Sequence, residues 1–153
     1  MQYNFAPHST FYAENQLLVC DENNKVFYLE TMDASFAKIK IDGGVEQNTT
    51  NPKCDYIIIK QVAENIEIFV ELKGKNIQDA YEQIIASHNR YANTNQNVKH
   101  YAAIVTSFIT PKTRVKLATI KSELKKKRLK PLIKNKVLKV KYNSNADSIE
   151  KIN

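Results

Sequence analysis

The chain has 153 residues and a mass of 17.6 kDa, with 23 Lys+Arg against 16 Asp+Glu for a formal net charge of +7. That length suits a single domain able to bury roughly 70% of its extended-chain surface, so no metal or disulfide staple is needed for a core. No apolar run nears the ~20 residues of a membrane span, and the opening MQYNFAPHST lacks the basic and apolar regions of a secretory leader, so a cytoplasmic protein without membrane contact is expected.

In chain order, residues 1–35 are the hardest to read. Leu17–Cys20 and Val26–Glu30 flank the polar Asp21–Lys25 and fit a hairpin, although Asn23–Asn24 specifies its turn only weakly; a short helix near Thr10–Leu18 is the competing assignment. Phe36–Ile41 alternates apolar and polar, as a strand with one covered face does. Gly43–Gly44 marks a bulge or bend, and Asn48–Pro52 carries turn residues. Lys53–Lys60, with the continuous apolar run Tyr56–Ile59, reads as a strand covered on both faces. Ala63–Asn65 turns the chain into a third strand, Ile66–Lys73, so three strands with short connections predict an antiparallel meander.

Asn76 can cap a helix, with Asp79 near its positive end, and Ile77, Ala80, Tyr81, Ile84, Ile85, His88 and Tyr91 recur at helical spacing. Tyr101–Ser107 reads as a buried strand. Thr110–Pro111 then opens a second helix, with Leu117, Ile120 and Leu124 apolar among lysines. Pro131 is expected to end or interrupt it, before a last strand Val137–Tyr142. The order β-β-β-α-β-α-β predicts an α/β protein, in the α+β sense, with a mixed sheet covered by helices.

The charge is unevenly spread. Residues Pro111 to Lys141 hold 13 Lys+Arg and one acid, Glu123, a local sum of +12, whereas the rest of the chain sums to −5. Such asymmetry points to a polyanionic partner, usually nucleic acid or an anionic membrane. Lys112, Arg114, Lys116, Lys121, Lys125, Lys126, Lys127 and Arg128 are the candidate phosphate contacts. A run of lysines is also what an ordinary solvated helix face looks like.

Cys20 and Cys54 are isolated, without the spacing of a zinc site, and fit a reducing compartment; Cys54 reads as a small core residue. His8, His88 and His100 do not pair with a Ser or Cys motif, so a nucleophilic-triad hydrolase has no support. The chemistry concentrates at Asp55 and at Glu71-Leu72-Lys73. Strand alternation sends Glu71 and Lys73 to one face, and two adjacent antiparallel strands can set Asp55 beside Glu71. Burying two carboxylates and an ammonium is costly unless they pair or bind a metal. A hard divalent ion, Mg²⁺ or Mn²⁺, takes one or two carboxylates with water and phosphate oxygens, an arrangement suited to phosphodiester hydrolysis. The competing reading is structural, with Asp55 as a cap or pairing residue and Glu71–Lys73 as a weak ion pair on an edge strand.

KCDYII, the strand IEIFVELKG and the helix NIQDAYEQI together resemble the PD-(D/E)XK nuclease superfamily, the restriction-endonuclease-like fold. The likeness covers residues 36–110, about half of the chain. It implies that Asp55 and Glu71 hold the metal with the backbone carbonyl of Leu72, that Lys73 serves the attacking water, and that Gln83 is the glutamine some branches carry in the following helix. Lys75, beside the site, is a candidate phosphate contact. Cys54 stands where the family most often has proline, and no N-terminal helix supplies the extra acid many members have; Glu46 is chosen for that role over Asp42 and Glu30. The implied activity is that of a small nuclease, on DNA more than RNA, with a homodimer as one way to cut a duplex. The alternative is a catalytically inactive nucleic-acid-binding module of the same fold.

Overall fold

The computed structural model describes residues 5–74, 76–107 and 109–153, with the backbone alone at Lys73. Ten strands and two helices follow in the order β1 (Ser9–Tyr12), β2 (Leu17–Glu22), β3 (Lys25–Glu30), β4 (Phe36–Lys40), β5 (Tyr56–Lys60), β6 (Ile66–Gly74), α1 (Ile77–Tyr91), β7 (Lys99–Thr106), α2 (Pro111–Lys126), β8 (Leu129–Asn135), β9 (Val137–Asn143) and β10 (Ser148–Lys151). They build a mixed α+β structure with two mixed sheets. The larger has six strands in the order β1-β4-β5-β6-β7-β8, and the smaller has four in the order β10-β9-β3-β2.

The expected meander is present, β4, β5 and β6 pairing antiparallel in succession. Beyond it, α1 and α2 carry the chain across so that β7 runs parallel to β6 and β8 parallel to β7. Each face of the large sheet buries its own core. On one face Ile39, Ile57, Phe69, Ala102 and Ile104 meet Ile77, Ala80 and Ile84 of α1 and Leu117, Ile120 and Leu124 of α2. On the other, Phe36, Ile58, Ile68, Val70 and Leu72 meet Leu18, Phe27, Leu29, Leu138 and Val140 of the small sheet. This double covering is why Tyr56–Ile59 and Ile66–Leu72 read as nearly unbroken apolar runs.

Leu17–Glu30 form the hairpin and Thr10–Leu18 is not a helix; a 3-10 turn at Ala6–His8 leads into β1 at the edge of the large sheet. Asn23 and Asn24 take φ of 51° and 64°, the paired left-handed geometry that matches a two-residue hairpin turn to strand twist. Two other expectations are corrected. The polar side of Phe36–Ile41 is open to solvent only at Lys40: Phe36 is buried, and Lys38 reaches across to the small sheet, its Nζ donating to the Val19 carbonyl at 2.8 Å and lying over the rings of Tyr12 and Tyr56. Pro131 breaks no helix: α2 has already ended, and Pro131 sits within β8, an edge strand that tolerates the missing N–H. The Val137–Tyr142 strand exists as β9 but pairs parallel with β3 in the small sheet. Among the described residues neither helix is long and apolar enough to cross a membrane.

Candidate functional site

Alternation fails just ahead of β5. Cys54 and Ile57 share the helix-side core although three residues apart, whereas Tyr56 packs on the other side. The hydrogen bonds show the cause: Tyr56 is the ladder partner of Val70, yet the Asp55 N–H also bonds the Val70 carbonyl, at 3.0 Å, so two residues address one. The irregularity turns the Asp55 carboxylate along the sheet edge, where Oδ2 accepts the Leu72 N–H at 2.8 Å. Asp55 is thereby joined to the middle of Glu71-Leu72-Lys73. Asp55 and Glu71 are each only 3% exposed. The β6–β7 register shifts between Glu71 and Gly74, so both strands carrying the motif depart from regular pairing where the acids sit.

A stripe on α1 holds the segment leading into Asp55. Gln83 Oε1 accepts the Lys53 N–H, Ser87 Oγ accepts the Cys54 N–H at 2.8 Å, and the Arg90 guanidinium donates to the Pro52 carbonyl. Three side chains one helical turn apart thus satisfy three consecutive residues of a loop. Gln83, expected as a site residue, has its amide oxygen committed to this backbone, so its place is that of a positioning residue. Ser87 and Arg90 were not singled out from the sequence. Their only signal is the polar i, i+4, i+7 spacing from Gln83 on a helix whose other face is apolar.

Glu46 does not join Asp55. Its carboxylate accepts the Tyr91 hydroxyl and pairs with Arg90 at 3.3 Å, at the far end of α1. The turn after β4 is responsible: Gly43 takes φ of 82°, and a Cβ on Gly44 would lie 2.2 Å from the Lys40 carbonyl oxygen, so this tight reversal needs glycine and carries Glu46 to the helix side. Asp42 is the acid of this turn that shares a cavity with Asp55. That cavity, of about 290 Å³, is lined by Asp21, Glu22, Lys40, Asp42, Asp55 and Tyr56. Asp21 and Glu22 come from the small sheet, and nothing local in the sequence relates them to Asp55. Among the described residues no group of three or more His, Cys, Asp or Glu is gathered tightly enough to hold a metal by itself. Asp55 and Glu71 carry hard oxygen donors, of the kind Mg²⁺ or Mn²⁺ takes, and not the sulfur and nitrogen of a zinc cage.

Burial pushes the Cys54 thiol above its ordinary value; the Ser87 hydrogen bond opposes this, and the charges of Glu71 and Asp55 add to it. Both carboxylates therefore act on one buried thiol. Burial likewise raises Cys20. Neither sulfur is set up as a nucleophile, in line with the reading of Cys54 as core.

The basic segment is divided. Thr106 pairs with Gly74 in register and α2 begins five residues later, so Lys112, Arg114 and Lys116 stand at the sheet edge that carries Asp55 and Glu71. All three are exposed. Lys125 and Arg128 lie beside Lys99 and His100 at the start of β7, the opposite end of the sheet, with Lys125 about 20 Å from Lys112 along the helix axis. Lys121 is half-buried between them, Lys126 pairs with Glu123 at 3.2 Å, and Lys127 closes the helix. Lys75 lies outside the described residues, as does the side chain of Lys73. No protein-family model, curated protein or solved structure matches the chain.

Proposed function

We propose that the protein is a small metal-dependent nuclease of the restriction-endonuclease-like kind, hydrolysing phosphodiester bonds in DNA more readily than in RNA. The observation that carries this reading is the bond from the Leu72 N–H to Asp55 Oδ2, which ties one buried carboxylate to the residue next to a second buried acid, Glu71. The antiparallel β4-β5-β6 followed by parallel β7 and β8 supports the fold assignment.

Asp55, Glu71 and the Leu72 carbonyl would hold the ion, with Asp42, from the cavity that Asp55 lines, a further acid to reach it through water. A bound Mg²⁺ supplies Lewis-acid polarisation of the phosphate and a more acidic water. The protein's own contribution is placement: the Leu72 N–H fixes one Asp55 oxygen, and the Gln83–Ser87–Arg90 stripe fixes the chain that delivers it. The resemblance assigns Lys73 to the attacking water. Lys112, Arg114 and Lys116 at the same edge would contact phosphates by charge, adding affinity without reading sequence. Cutting both strands of a duplex would take two copies of the chain, or a nicked or branched substrate.

A second reading, an inactive nucleic-acid-binding module, draws on the commitment of Glu46 and Gln83 to structural partners, which takes both out of the expected catalytic set. Incubation with supercoiled plasmid, single-stranded DNA, a branched junction and RNA, with Mg²⁺ or Mn²⁺ and with EDTA, separates the two. Metal-dependent cleavage abolished by Glu71→Gln supports the nuclease. Cleavage that survives both Glu71→Gln and Asp55→Asn places the chemistry elsewhere, and retention of every substrate uncut alongside tight binding favours the module.

A further inference from the structure

Among the described residues Thr31, Ser87 and Thr106 are the buried serine and threonine side chains. Thr31 accepts the Gln16 N–H at 2.9 Å and donates to the Ala13 carbonyl at 2.8 Å, and Ser87 accepts the Cys54 N–H. Thr106 is only 1% exposed, and its hydroxyl has no hydrogen-bond partner among the described residues. Tyr101 to Val105, which precede it in β7, are all buried. Valine would fill the same space in such a strand, favour it as strongly, and leave no hydroxyl to desolvate. A buried hydroxyl without a partner costs stability, so a threonine at this position calls for a reason other than packing.

The place of Thr106 in the sheet relates it to Glu71. Glu71 pairs with Ile104 and Gly74 with Thr106, so Thr106 stands two residues beyond the partner of Glu71 on the neighbouring parallel strand. Along β7, Ala102 and Ile104 face the helices while Ala103 and Val105 face the small sheet, and alternation therefore sends Thr106 to the helix side. Along β6, Phe69 faces the helices while Val70 and Leu72 face the small sheet, which sends Glu71 to the helix side as well. The Glu71 charge that acts on the Cys54 thiol, itself in the helix-side core, agrees with this. With strands about 4.8 Å apart and a rise of about 3.3 Å per residue, the two Cα atoms are diagonal neighbours about 8 Å apart, within the reach of a glutamate. The Thr106 backbone is pinned there by pairing with Gly74 on one side and Asn135 on the other, and its carbonyl accepts the Lys136 N–H at 2.8 Å. Both residues lie toward the C-terminal ends of parallel strands, the edge at which open α/β sheets place their ligands.

We propose that Thr106 is a positioning residue for the metal site, its hydroxyl donating to the Glu71 carboxylate when that carboxylate holds Mg²⁺ or Mn²⁺. The inference rests on the nuclease reading and adds to it a residue that neither the Asp55 and Glu71-Leu72-Lys73 motif nor the family resemblance singles out. A carboxylate on a divalent ion can give one oxygen to the ion and the other to a hydrogen-bond donor, and such a donor fixes the orientation of the ligand. Asp55 already has a donor of this kind in the Leu72 N–H. Thr106 supplies the equivalent for Glu71 from β7.

The test compares the full chain with Thr106→Val and Thr106→Ser, by calorimetric titration with Mn²⁺ and by urea unfolding in EDTA. Thr106→Val should weaken Mn²⁺ binding about tenfold or more, the loss typical when a metal ligand is deprived of its hydrogen-bond donor. In EDTA the same variant should unfold at the wild-type urea midpoint or above it, because valine keeps the shape and removes a buried hydroxyl without a partner. A hydroxyl with a merely structural role gives the opposite result, a lower midpoint. Thr106→Ser keeps the donor and should bind Mn²⁺ within about threefold of the wild-type chain. Unchanged Mn²⁺ affinity in Thr106→Val, a lowered midpoint of that variant in EDTA, or Thr106→Ser binding as weakly as Thr106→Val would overturn the assignment. Binding lost in Glu71→Gln but intact in Thr106→Val removes the role of Thr106 alone, whereas a wild-type chain that takes up no Mn²⁺ removes the nuclease reading and this assignment together.

Discussion

Ser87→Ala tests the α1 stripe at its most buried member. Ser87 and Cys54 are both fully buried, and the 2.8 Å bond from the Cys54 N–H is directed to the serine oxygen. Alanine removes the acceptor without a change of helix propensity that would destabilise α1. The Cys54 N–H then remains in the core without a partner, which costs about 1–3 kcal/mol. For a domain of this size each kcal/mol lowers the melting temperature by about 2–4 °C, so a fall of roughly 2–12 °C is expected. Urea unfolding at neutral pH, with a matched Ser122→Ala on the exposed face of α2, isolates the effect from serine replacement in general. A loss for Ser87→Ala within about 0.5 kcal/mol of that control would refute the claim that α1 holds the Asp55 segment through this bond.

Asn76→Ala removes an acceptor shared by the Gln78 and Asp79 N–H groups and should cost about 1 kcal/mol in the same urea assay; a neutral result would mean that the cap is not formed. Burial, reinforced by His100, holds His88 below its ordinary value of 6.5, so the unfolded chain takes up that proton first. Stability should therefore be full above about pH 7 and decline as pH falls through 6.5, and His88→Gln should flatten this component of the urea midpoint between pH 7.5 and 5.5. Replacing Lys112, Arg114 and Lys116 with glutamine should reduce the salt slope of DNA binding by about 2–3 in log–log form, with little change in sequence preference. An unchanged slope would remove this end of α2 from the interface.

Local pattern revealed most of the framework. The meander, the Asn76 cap, both helices and the buried β7 all follow from periodicity and capping residues within a few positions of one another. The hairpin and the last strand were legible, but their union in a second sheet was not, because β3 pairs with β9 more than a hundred residues later, and a strand's partner is not written in its own alternation. That same sheet hides the face of β4 that Lys38 occupies and brings Asp21 and Glu22 to the cavity of Asp55. Asp55 could be placed beside the Glu71-Leu72-Lys73 segment from the sequence because one short hairpin joins their strands. Glu46 could not be placed, since the reversal at Gly43–Gly44 decides which side it faces. Gln83 was found for its position and turned out to serve the backbone, a role that depends on where residues 52–54 run. The division of the basic segment follows from α2 spanning the sheet, and total charge does not carry that information.

Calorimetric titration of the full chain with Mn²⁺ tests the central claim most directly. Saturable binding is expected that is lost in Asp55→Asn and in Glu71→Gln, weakened by Asp42→Asn and unchanged by Glu46→Gln, with all four variants folded. Binding that persists in both Asp55→Asn and Glu71→Gln, or that requires Glu46, would contradict it.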